Sequence, residues 1–260
     1  MRRPLYLLRG EGTEVRLDGP SLLVSGTRRA DGRYPLAQVS RVTSDSAVRW
    51  ETEAIIACLG SRIPVTFVSG RGRIIGFCLP VGELKSSNAS KLREFFAFPF
   101  WKEVYDNWLS AETRKAVLDQ LDAFHVRTED LRPMAARRFL LDRVAANVSR
   151  AERDRIMDRL NGLAGSLLAG LFSHERLPTR YPVTGAGVVN LHEDFLSVIS
   201  WELLPIVMEV ARRGYRDRDP NSLALLVGAF EKRSTVIKDR HARLLESLLL
   251  RIHDAYLVGQ

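Results

Sequence analysis

The feature that most constrains this chain is a change of hydrophobic period near residue 80. Before it, apolar or alternating runs are short: Leu5–Leu8, Val15–Leu17, Leu22–Ser25, Val39–Thr43, Pro64–Ser69 and Ile74–Cys78. Asp18-Gly19-Pro20, Asp31-Gly32 and Ser69-Gly70-Arg71-Gly72 punctuate them, as turns punctuate strands. One helix fits Val48–Leu59, capped by Asp45 or Ser46, with Ala54, Ile55, Cys58 and Leu59 on one face. Residues 81–90 are polar and aperiodic. From Lys91 onward the spacing is i, i+3, i+4, over 91–109, 111–124, 134–148, 150–172, 192–213 and 220–257. In the last segment Ile237, Leu244, Leu245, Leu248, Ile252 and Tyr256 form a stripe, with a break expected near Arg233-Ser234. The expected fold class is therefore α+β. A small N-terminal β-domain (1–80), sandwich-like with one helix, is followed by a linker (81–90) and an all-α C-terminal domain (91–260). The alternating βα pattern of nucleotide-binding α/β folds is missing.

With 45% hydrophobic residues, 260 residues can bury a full core. No apolar run approaches the roughly 20 residues that cross a bilayer, so no membrane association is expected. The opening Met1–Leu8 is too short for a secretory core, being ended by Gly10-Glu11-Gly12. Cys58 and Cys78 both sit in apolar stretches and read as buried thiols of a reducing, cytoplasmic compartment. The net charge of +8 has two readings, a polyanionic partner or an arginine-rich codon usage. No Lys-Ser/Thr follows Gly70-Arg71-Gly72, so it is a hairpin turn and no phosphate loop. Serine and cysteine nucleophile motifs are missing as well.

Nine arginines fall within residues 127–159, interleaved with six acids. Exposed arginines grip phosphates bidentately, although such a mixture also describes an ordinary solvated surface. Arg137-Arg138 and Arg212-Arg213 have no close acid on their N-terminal side, which favours them for DNA. Lys232-Arg233, Lys238, Arg240 and Arg243 form a second candidate stripe. Phe98, Trp101, Tyr105 and Trp108 recur at helical spacing and read as core or helix interface, with base stacking the alternative. His192-Glu193-Asp194 is the densest group of metal-ligand types, with Glu202 ten residues on. It reads equally as a helix start whose acids favour the positive dipole end. His125, His174, His241 and His253 show no ligand spacing.

The order of these features resembles the CRISPR spacer-integrase family, the Cas-one family. The N-terminal half carries the resemblance through Leu5-Tyr6-Leu7-Leu8, the strand pair over Val15–Ser25, and Tyr34-Pro35-Leu36-Ala37-Gln38-Val39. Ile63–Val68 and Gly70–Gly76 complete it. In the C-terminal half, Leu160-Asn161-Gly162-Leu163-Ala164-Gly165-Ser166 resembles the family's Leu-x-Gly-Ile-Glu-Gly helix. Pro205–Arg213 resembles the helix after its last metal ligand. The stretch between Phe172 and Pro205 is shorter than the family's.

The resemblance implies a Glu, a His and an Asp or Glu around Mg²⁺ or Mn²⁺. In this chain the Glu falls on Ala164; the His falls on His192 if the shortened loop aligns through Val189-Asn190-Leu191-His192, or else is lost; and the final acid falls on Glu202, with Glu193 and Asp194 as further candidates. A second alignment places the Glu at Glu152. The resemblance also implies a homodimer formed through the β-domain, a small second adaptation protein or other CRISPR-associated proteins as partners, and double-stranded DNA as ligand. Three readings follow: a DNA-binding, architectural protein of CRISPR adaptation; an active metal-dependent integrase or endonuclease with a rearranged site; and a protein-interaction subunit of a defence complex.

Overall fold

The structure, a computed structural model, describes residues 2–8, 10–26, 29–80, 86–183, 187–216 and 219–258. Two compact units emerge, Met1–Leu84 with Asn161–Leu177, and Lys85–Leu160 with Pro178–Gln260.

The first unit is built on two four-stranded sheets. One has the order β1 (Arg3–Leu7), β5 (Val39–Asp45), β7 (Val65–Val68), β8 (Ile74–Cys78). The pairs β1–β5 and β5–β7 are parallel; β7–β8 is an antiparallel hairpin. The other has the order β4 (Arg29–Pro35), β3 (Ser21–Gly26), β2 (Thr13–Asp18), β6 (Arg49–Trp50). A two-residue turn joins β2 to β3, and Gly19 takes the positive φ (+58°) that such tight hairpins require. Leu5, Leu7, Val15, Leu22, Val39, Val42 and Val65 belong to one core with Ala54 and Cys58 of helix α1 (Thr52–Gly60).

Six of the seven residues of β5 are buried. Parallel strands covered on both faces behave in this way. One covering element is the second half of α5 (Arg150–His174), where the Thr43 and Ser166 hydroxyls bond at 2.7 Å. Gly162 of that helix lies against the β7–β8 turn so closely that a Cβ would stand 2.0 Å from the Gly72 carbonyl oxygen.

The second unit is helical, as expected. It comprises α2 (Ser87–Phe96), α3 (Trp101–Ala123), α4 (Pro133–Val144), the first part of α5, α6 (Leu191–Ile199), a 3-10 turn over Ser200–Leu203, α7 (Leu204–Arg212) and α8 (Pro220–Val258). Its aromatic core centres on Phe96, whose ring lies 5.4 Å from Tyr105 and 5.2 Å from Tyr181. The α8 stripe is inward as expected: Ile237, Leu244, Leu245, Leu248 and Ile252 are buried.

Several local expectations are corrected. Asp31-Gly32 lies inside β4 and does not end a strand. Arg49–Trp50 pairs with β2, so α1 begins only at Thr52, and the Asp45 carboxylate accepts from the Ala47 amide without capping it. Of the expected connector, 81–85 lies outside the described residues, whereas Ser87–Ser90 forms the first turn of α2, capped by the Ser86 hydroxyl. α3 runs unbroken through residue 110, and α8 runs unbroken through Arg233-Ser234. A short hairpin, β9 (Arg180–Pro182) with β10 (Val188–Asn190), stands in the otherwise helical part. Cys58 and Cys78 are free thiols, and burial pushes Cys58 up to about 12. Among the described residues no helix is long and apolar enough to cross a membrane.

Candidate functional site

Ala164 sits on the half of α5 that belongs to the first unit, and it is fully buried. The neighbouring Gly162 and Ser166 contact the β7–β8 turn and β5, so this stretch of helix is small because the sheet lies close. Glu152, the alternative acid, is engaged locally: its carboxylate accepts from the Ser149 hydroxyl at 2.8 Å, while that hydroxyl's oxygen accepts from the Glu152 amide at 3.3 Å and caps the start of α5.

The remaining metal candidates lie in the second unit. Asn190 caps α6, its Oδ1 accepting from the Glu193 amide at 3.3 Å. His192 is buried in the first turn, and Glu193 is exposed on it. Asp194 accepts a 2.7 Å hydrogen bond from the Tyr105 hydroxyl of α3. Burial raises the Asp194 carboxyl above its ordinary range against the opposing effect of that bond, with Glu193 and Asp106 raising it further. Tyr105 is raised for the same reasons, burial first and then the Asp194 charge.

Glu202 belongs to a different group. Burial raises its carboxyl, with Arg240 the largest opposing influence. Arg240 is 3% exposed and pairs with Glu112 at 3.7 Å and Asp119 at 3.5 Å, both on α3. Glu112 is held in turn by the Ser247 hydroxyl (2.8 Å), which accepts from the Trp108 indole (3.1 Å). A charged layer thus joins α3 to α8. Sequence reasoning missed it because its members lie more than a hundred residues apart.

His192, Glu193, Asp194 and Glu202 are therefore not brought together. Among the described residues no three His, Cys, Asp or Glu side chains are arranged to hold a metal ion. The expected ligand set is not gathered for Mg²⁺ or Mn²⁺: Asp194 accepts from Tyr105, and Glu202 is under the charge of Arg240.

The basic candidates separate by exposure. Arg138, Arg212, Lys232 and Lys238 are exposed and Arg233 is half-buried. Arg213 is exposed but pairs with Glu209 at 3.2 Å, an acid one helical turn upstream, which corrects the expectation that none stood close on that side. Arg240, expected on a basic surface, is buried among acids and cannot reach a ligand there. Arg137 is half-buried over the Trp201 ring. Of the aromatics, Tyr105 and Trp108 are core, while Phe98 is 37% exposed.

The fold is shared with solved structures of known proteins. A CAS1 protein from Thermotoga maritima superposes with a TM-score of 0.75 at 13% identity, over 95% of this chain and 97% of that one. A casposase bound to integration product gives 0.70 at 13% identity, over 96% and 91%. The TtCas1–DNA complex gives 0.65 at 12% identity, again over 96% and 91%. At such identities the likeness is one of fold. No curated protein matches the sequence. Residues 6–98 match the family model for CRISPR associated protein Cas1. That match covers the N-terminal third of the chain, and beyond it the likeness to these Cas1 and casposase structures is one of fold.

Proposed function

We propose that this chain is a DNA-binding Cas1 protein of CRISPR adaptation that holds duplex DNA without cutting or joining it. The observation that carries the reading is the dispersal of its acids. Ala164 presents a buried methyl where the resemblance implies the Glu, and of the acids in 192–202 Asp194 is bound to Tyr105, Glu202 is under the charge of Arg240 and Glu193 is exposed. A methyl neither holds a divalent ion nor moves a proton. DNA binding is supported by the net charge of +8 and by exposed Arg138, Arg212, Lys232 and Lys238. The similar casposase and TtCas1 structures are themselves complexes with an integration product and with DNA. On this reading the chain acts in the cytoplasm as a homodimer through its β-rich part, with the small second adaptation protein as partner.

The test combines two assays on the purified chain. Affinity for a labelled duplex should fall steeply with salt as counterions are released, and strand transfer or cleavage in Mn²⁺ or Mg²⁺ should be absent. Metal-dependent products that vanish in Glu202→Ala would instead establish an active, rearranged site. Binding that is absent at every salt concentration would leave a protein-interaction subunit.

A further inference from the structure

We propose that Arg137 is a receptor for one phosphodiester of the DNA backbone. The assignment rests on the DNA-binding reading above and gives it an anchoring residue in the helical unit.

Arg137 and Arg138 follow one another on α4. Arg138 is exposed, whereas Arg137 is half-buried, with its guanidinium 4.4 Å above the Trp201 ring. Trp201 is itself buried, so the platform is fixed. Nη2 of Arg137 donates to the Ser200 hydroxyl. That hydroxyl spends its proton on the Ser197 carbonyl at 2.7 Å, which leaves its oxygen free to accept from the arginine. Guanidinium carries five N–H donors, and one is used here.

Among the described residues no carboxylate lies within ion-pair distance of Arg137, and burial alone pushes it down to about 10. Two other enclosed arginines, Arg240 and Arg153, differ. Arg240 pairs with Glu112 and Asp119, and Arg153, 12% exposed, pairs with Asp142 at 2.7 Å. The fold thus neutralises those guanidiniums and leaves this one with a stacking ring and a hydroxyl.

A cation withdrawn from water without a counter-charge is unfavourable, and an incoming anion relieves it. The planar fork left open matches two oxygens of a phosphate. The neighbouring Arg138 and the chain's positive balance draw a polyanion in preference to an isolated carboxylate. Trp201 directly precedes Glu202 in the segment where the resemblance implied a metal. A fixed guanidinium there grips a phosphate without activating it.

The experiment measures binding of the full chain to a short labelled duplex across a salt series, for wild type, Arg137→Met, Arg137→Lys and Arg138→Gln. Thermal midpoints are recorded with and without DNA, with inorganic phosphate and with a polyglutamate peptide. Arg137→Met should weaken binding about tenfold and reduce the salt slope by about 0.9, the share of one phosphate contact. Without DNA its midpoint should match or exceed that of wild type, and duplex should raise the wild-type midpoint more. Arg137→Lys, which keeps the charge but loses the fork, should weaken binding several-fold at an unchanged slope.

Equal affinity and slope in wild type and both Arg137 variants overturn the assignment while leaving DNA binding intact. A lower midpoint for Arg137→Met with no difference in DNA response overturns it in favour of a structural arginine. Phosphate stabilising wild type while Arg137→Met still binds DNA normally overturns it in favour of a free-anion site. Stabilisation by polyglutamate and not by duplex transfers the site to an acidic protein. A wild type that binds no duplex removes the DNA reading itself.

Discussion

Replacing Gly162 by Ala tests how α5 fits into the first unit. The new methyl would lie 2.0 Å from the Gly72 carbonyl oxygen and 3.3 Å from Val68 Cγ1. A carbon and a carbonyl oxygen settle at about 3.3 Å, so something must move by about 1.3 Å. The obstacle is backbone, tied at both ends of its turn: the Gly72 amide donates to the Ser69 carbonyl (2.7 Å) and the Ser69 amide to the Arg73 carbonyl (2.8 Å). Overpacking costs about 1–3 kcal/mol, and a displaced backbone falls at the upper end. Helix propensity returns about 1 kcal/mol. The net expectation is a loss of about 2 kcal/mol, or about 4–8 °C in a protein of this size.

Two other glycines calibrate the number. At Gly170, on the same helix, the nearest atoms would be 3.8 and 3.9 Å away; at Gly228, on α8, nothing lies within 4 Å. There the same change should stabilise by about 0.8–1 kcal/mol, propensity acting alone. Urea unfolding followed by circular dichroism, with unchanged m, reads all three. If Gly162→Ala is as stable as wild type, or all three shift in one direction, the close approach of α5 to the turn is wrong.

Three further outcomes are expected. Arg240→Ala strands half-buried Glu112 and Glu202 without their cation and should cost about 3 kcal/mol in the same urea assay, whereas Lys238→Ala, on the exposed face, should cost less than about 0.5. Tyr105→Phe removes the donor to Asp194 and should cost about 1.5 kcal/mol. Burial raises the Glu202 carboxyl in the folded chain, so the folded state holds that proton more tightly than the unfolded one, and the stability it contributes is lost as pH rises through the raised value. Glu202→Gln should therefore raise the unfolding midpoint at pH 8, and the difference should shrink toward pH 4; a larger gain at acid pH would contradict the burial.

Strands with alternating or apolar runs were legible because their side chains face a core: Val15, Leu22, Val42 and Val65 stand in one cluster. β4 was not, since Arg-Ala-Asp-Gly-Arg-Tyr-Pro is polar and forms the edge of its sheet, where pairing comes from backbone groups. The α8 stripe was legible from Ile237 to Ile252, with Tyr256 only half-buried at its end, and the expected break at Arg233-Ser234 failed because buried Ser234 returns its hydroxyl to the Glu231 carbonyl within the helix. Site residues fared differently. Spacing showed that 192–202 holds acids, but not that Asp194 meets a tyrosine 89 residues away or that Glu202 lies near Arg240. Arg240 and Lys238 are two positions apart and look alike in sequence, yet helical rotation sends one into the interior and leaves the other outside.

One consequence of α5 concerns what counts as a separable piece of this molecule. The stretch matched by the family model ends at residue 98, yet the body containing most of it takes a strut from residues 161–177, about sixty positions downstream. Clipped out along the sequence, that stretch would leave Thr43 without Ser166 and the hairpin turn without the helix that abuts it. A genetic cut at the obvious place, after residue 84, should yield a sticky, poorly folding fragment. A cassette able to stand by itself must carry α5 back to β5, through a circular permutation or a grafted segment.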